Sequence, residues 1–145
     1  GGTALYLQAV FANKSPTGGI VREIILKIQE KNNSKGCFYC SWLEEGKLPF
    51  RGTTYENTQA ASPFFVPGRE SVLKTLWFLY DDETNPLEFK NAEYNFTLYS
   101  IQDGETQPII VSNEALHLSN SAVEKLSDRR SKKDSTSQVF SFKGR

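Results

Sequence analysis

Two cysteines three positions apart, Cys37 and Cys40 in GCFYCSW, are the residues of this chain best suited to chemistry. A Cys-x-x-Cys pair can ligate zinc, cycle between dithiol and disulfide, or supply a nucleophilic thiolate. Each use demands company. A closed zinc site takes four Cys or His ligands, whereas the sequence offers these two cysteines and one histidine, His117. A redox pair of the thioredoxin kind stands at a helix N-terminus that lowers a thiol pKa. Here Phe38, Tyr39 and Trp42 surround the pair and favour a strand. Residues three apart in a strand point to opposite faces, so the sulfurs diverge unless a bulge intervenes. The expectation is therefore Cys40 as a small core residue beside Phe38 and Trp42, with Cys37 and Tyr39 turned the other way.

His117, in EALHLSN, is the sole imidazole base, and no Gly-x-Ser-x-Gly elbow supplies a serine for it. A surface or capping role is expected. Glu44, Glu45, Asp81, Asp82 and Glu83 are adjacent carboxylates in polar stretches and read as solvated loop charges. Calcium at Asp81–Glu83 would use oxygen ligands, but the spacing fits no EF-hand loop. Neither Gly-x-x-x-x-Gly-Lys nor Gly-x-Gly-x-x-Gly occurs, so no phosphate cradle is encoded. Arg129, Arg130, Lys132 and Lys133 form a local basic run that reads first as a solvated tail and second as a contact for phosphates, a partner or lipid head groups. Tyr39, Trp77, Tyr80 and Tyr99 are the aromatics that a sheet face would leave available to a sugar ring or a protein partner. Asn13, Asn32 and Asn95 open glycosylation sequons, which matter only in a secretory setting.

The elements that position these residues are strands. ALYLQAVFA from Ala4 alternates, with Leu5, Leu7, Ala9 and Phe11 on one face. The turn formers NKSPTGG end it. IVREIILKIQ then places Ile20, Ile24, Leu26 and Ile28 together, and CFYCSWL makes a third strand. A short strand is expected around Phe50 to Tyr55. After the Pro67-Gly68 turn, Val72 to Tyr80 is apolar on both faces except Lys74 and Thr75, as in a central, doubly covered strand or one whose outer face lies under a loop. Tyr94 to Ile101 alternates with Tyr94, Phe96 and Leu98 inward, and Asp103-Gly104 turns it into PIIV. A Ser121-x-x-Glu124 capping box predicts a short helix over about 121–128. A polar tail follows, with a terminal strand at Val139–Phe142.

Short strands separated by turn clusters predict a mainly β, antiparallel sandwich of about seven to nine strands. LYLQAVFANKSPTGGIVREIILKI, together with PFFVPGRESVLKTLWFLY, resembles the bacterial immunoglobulin-like domains found beside membrane anchors, whose members are mostly of unknown function. The resemblance implies an immunoglobulin-like sandwich and carries over no catalytic residue. The cysteine spacing departs from the antibody pattern, because Cys37 and Cys40 cannot form an inter-sheet bridge.

The 145 residues suit one domain, expected over 3–127, with Gly1-Gly2 a vector remnant and 128–145 the tail. Seventeen basic and seventeen acidic side chains cancel, so no overall field favours nucleic acid. No apolar run reaches the roughly 20 residues that span a bilayer. The expectation is a non-catalytic interaction or accessory module of a larger, membrane-tethered or extracytoplasmic protein, without a cofactor and with a protein as its partner. A carbohydrate-binding module using exposed aromatics is the first alternative. A small enzyme or metal site around Cys37, Cys40 and His117 is the second.

Overall fold

The structure is a computed structural model that describes residues 3–47, 56–120 and 139–142. Every element among the described residues is a strand: β1 Thr3–Ala12, β2 Gly19–Glu30, β3 Cys37–Lys47, β4 Glu56–Ala60, β5 Phe64–Val66, β6 Ser71–Tyr80, β7 Ala92–Gln102, β8 Ile109–Leu118 and β9 Val139–Phe142. The expected strand around Phe50 to Tyr55 and the expected helix over about 121–128 lie outside the described residues.

Hydrogen bonds link the strands into one path, β8-β7-β2-β3-β6-β1-β9, with β4 attached to β3 and β5 to β2. All pairs are antiparallel except β1 with β9. The sheet curls into a half-barrel, and β9 comes within 8 Å of β8, Cα to Cα. Its concave side is the core. Leu5, Leu7, Ala9 and Phe11 of β1 face it as the alternation predicts, and so do Tyr94, Phe96 and Leu98 of β7.

Two bulges divide the sheet at its middle. β2 pairs with β3 from Ile25 to Gln29 but with β5 from Gly19 to Val21. Correspondingly, β3 leaves β2 after Ser41 and pairs with β4 from Glu44 to Lys47. The fork therefore opens where β2 bulges at Arg22 and β3 bulges at Leu43. An extra residue reverses the inside-outside parity beyond it. This is why Ile20, expected in the core with Ile24, is 41% exposed while Val21 is buried. The same shift turns Glu44 outward and Glu45 inward.

Glu45 is consequently no solvated loop charge. It lies in β3, 7% exposed, accepts hydrogen bonds from Gln59 Nε2 at 2.6 Å and Lys74 Nζ at 3.2 Å, and offsets part of its desolvation through them. Lys74 Nζ also stands 4.5 Å from the centroid of the Phe64 ring. β6 is central, as expected, yet its outer face is not covered throughout, since Leu73 is 64% exposed.

The two ends of the half-barrel differ. At one, the loop between β6 and β7 folds back as a plug: Leu87 is 3% exposed, and Phe89 packs edge-on to Tyr94 at 5.3 Å between centroids. The Tyr94 hydroxyl accepts the Lys90 N–H at 2.9 Å, and the Tyr80 hydroxyl donates to the Asn85 carbonyl. The other end has no such plug among the described residues.

Candidate functional site

At that second end a pocket of about 470 Å³ opens between the edges of the curled sheet. Among the described residues β9 pairs with Tyr6 to Ala9 of β1, and Val10, Phe11 and Ala12 pair with β6 alone. Phe11, Val21, Val66 and Val111 form the inner wall. Ile20, Ile109 and Ile110 form an apolar rim, at 41%, 50% and 39% exposure. Phe65, 59% exposed, pairs with Ile20 in register and extends the rim outward.

The polar wall is one loop, Asn13 to Gly18, between β1 and β2. Asn13 Nδ2 donates to the carbonyls of Thr17 at 2.9 Å and Val66 at 3.2 Å, while its Oδ1 accepts the Ser15 N–H at 3.0 Å. The turn between β5 and β6 holds the loop from behind. Asn13 N–H donates to the Glu70 carbonyl at 2.9 Å, and Arg69 N–H donates to the Ser15 carbonyl at 2.9 Å. Arg69 adopts φ 61°, and Gly68 packs so close that a Cβ there would sit 2.2 Å from the Pro16 carbonyl oxygen. Gly18 accepts the Phe65 ring, which would come within 2.3 Å of a Cβ at that position. The turn-forming residues Pro16, Gly18, Pro67 and Gly68 thus dock two loops on each other at the pocket mouth.

Ser100, 2% exposed, also lines this pocket. Beyond the bulge at Val111, the Ser112 hydroxyl is buried and has no hydrogen-bond partner among the described residues. Among the described residues, Lys14 is the only charged one in the lining, and none there is a carboxylate.

The sequence-selected residues are distributed elsewhere. Cys40 is 2% exposed on the core face with Phe38, and Cys37 is half-buried on the opposite face; both are free thiols. Desolvation by burial pushes the Cys40 thiol up to about 12. It is therefore protonated and a poor nucleophile at neutral pH. His117 is exposed on β8, opposite Glu93. The path β8-β7-β2-β3 puts two strands between it and the cysteines, a separation of about 14 Å at ~4.8 Å per strand. No group of three or more His, Cys, Asp or Glu side chains that could hold a metal ion occurs among the described residues. Asp82 Oδ1 is occupied by the Thr84 hydroxyl and N–H at 2.6 and 2.9 Å, and these bonds lower its pKa.

Of the four aromatics, Tyr80 departs from its expected role. It is 8% exposed and packs edge-on to Phe38 at 5.4 Å, because it belongs to the inward row of β6. Tyr39, Trp77 and Tyr99 do share the outer face. Only Tyr39 is well exposed, at 60%, while Trp77 leans on Tyr6 with centroids 6.5 Å apart. Arg129, Arg130, Lys132 and Lys133 lie outside the described residues. Among the described residues, no helix is long and apolar enough to cross a membrane.

No family model matches the sequence, and no curated protein or solved structure matches it.

Proposed function

We propose that this chain is a non-catalytic interaction module of a larger protein, and that it makes its contacts at the open mouth between β1 and β8. The observation that carries the reading is the rim: Ile20, Phe65, Ile109 and Ile110 are exposed together around a concave pocket. Exposed apolar residues scattered singly need no explanation, whereas a cluster at a pocket mouth marks an interaction site. The chemistry-bearing alternatives lack assembly, since Cys40, Cys37 and His117 point to different places. An immunoglobulin-like sandwich remains the proposed architecture. It is supported by the fork, beyond which β8-β7-β2-β5 and β4-β3-β6-β1-β9 form two leaves over one core. The proposed partner is a protein, and membrane tethering would come from other segments.

The test is site-specific photo-crosslinking in cells that make the parent protein. A photoreactive residue replacing Phe65 or Ile109 should give a discrete adduct, and one replacing Glu114 or Leu73 should not. Equal adducts from all four positions, or none at the rim, would remove the proposal. A carbohydrate-binding role is the second reading, favoured by the exposure of Tyr39. It predicts glycan binding that Tyr39→Ala abolishes while the fold survives.

A further inference from the structure

The lining of the mouth pocket is mixed in a defined way. The strand residues Phe11, Val21, Val66 and Val111 give an apolar wall, Ser100 and Gln102 of β7 add two neutral polar side chains to it, and the loop between β1 and β2 gives a polar wall. In that loop the Asn13 amide is committed to two carbonyls. Ser15 Oγ accepts the Thr17 N–H at 3.2 Å, which leaves its own O–H available to donate. Lys14 is the single charge of the lining, exposed, and without an ion pair among the described residues. A site whose described residues present an apolar wall, one ammonium and no carboxylate is complementary to a ligand with an apolar body and one anionic head.

We infer that the pocket binds a soluble, single-chain aliphatic carboxylate. The head would meet Lys14 and the Ser15 hydroxyl at the rim, and the chain would run inward along Val21, Val66 and Val111. Size agrees: at close-packed density a ten-carbon carboxylate occupies on the order of 300 Å³, which fits within the pocket of about 470 Å³. The inference goes beyond the proposed protein contact at the mouth and stands on the lining of the pocket itself.

Calorimetric titration of the full 145-residue chain with decanoate, and separately with decanol, tests the assignment. Decanoate, kept below its micelle threshold, should bind saturably at one per chain and about fivefold more tightly than decanol, the increment expected of an exposed ion pair. Lys14→Gln should abolish that preference and leave decanol binding unchanged. Ile109→Asp, at an exposed rim position, should weaken both ligands, and Val111→Trp should block both if its unfolding transition shows that it folds. No saturable binding of decanoate would overturn the inference, as would a decanoate preference that survives Lys14→Gln. If the rim crosslinks to a protein while decanoate fails to bind, the contact reading stands and this inference falls. If decanoate binds and no rim crosslink forms, the reverse holds.

Discussion

Gly68→Ala should be the most informative single methyl group added to this protein. The new Cβ would lie 2.2 Å from the Pro16 carbonyl oxygen and 2.5 Å from its carbon. Both are about an ångström or more short of the ~3.5 Å at which non-bonded atoms pack. The obstacle is backbone, so no side-chain rotation relieves it. The loop between β1 and β2 must instead move off the turn between β5 and β6. That movement breaks the Arg69 N–H bond to Ser15 and the Asn13 Nδ2 bond to Val66. At about 1 kcal/mol net for each hydrogen bond, plus residual strain, the cost is about 2–3 kcal/mol. Gly19→Ala is the control, because a Cβ there meets nothing within 4 Å. It should be neutral or stabilise by up to about 1 kcal/mol through the unfolded chain. Urea unfolding of both variants measures the difference, and amide shifts of residues 13–18 report whether the loop has moved. A Gly68→Ala protein within about 0.5 kcal/mol of the parent, with those shifts unchanged, would refute the loop docking that builds the mouth.

The thiols should behave oppositely: in native buffer Cys37 should be alkylated while Cys40 reacts only after denaturation, as counted by mass spectrometry. Since the Cys40 thiol is raised from 9.0 to about 12, both states are protonated below pH 9, and above it only the unfolded chain ionises. Stability should therefore fall between pH 9 and 12, and Cys40→Ala should reduce that slope in alkaline urea titrations. Leu26→Ala, at 0% exposure on the core face, should cost about 2–5 kcal/mol by chemical denaturation. Leu73→Ala, on the outer face, should stay within about 0.5 kcal/mol. Asn13→Ala removes the bonds to Thr17, Val66 and Ser15 and should destabilise by about 1–2 kcal/mol while accelerating amide exchange of residues 13–18.

Strand identity was legible because alternation is a local signal. Leu5 to Phe11, Tyr94 to Leu98 and the Phe38, Cys40 row all carry it without interruption. Parity fails at Ile20, and Glu45 reads as a loop charge, since a bulge adds one residue without leaving a mark in composition, and Arg22 and Leu43 do not look unusual in sequence. The short strands β4 and β5 were hidden for a related reason. They exist to fill the fork, so their pairing depends on a tertiary split rather than on their own periodicity. β8 is legible only as PIIV, because beyond Ser112 its exposed residues Asn113, Glu114 and Ala115 break the alternation at a sheet edge. The candidate site was the least legible part. The clustered turn residues in NKSPTGG and PG were visible, but not that the two turns dock together. Nor could the sequence show that Ile20, Ile109 and Ile110 gather at one pocket rim.

The location of binding tests the account most directly. In a two-dimensional amide NMR titration of the full chain with decanoate, shifts should concentrate in residues 13–21, 65–66 and 100–111, with Tyr39 to Leu43 and the loop at 81–91 unmoved. Shifts centred on the outer face around Tyr39 and Trp77, or at the end plugged by Leu87, would contradict it.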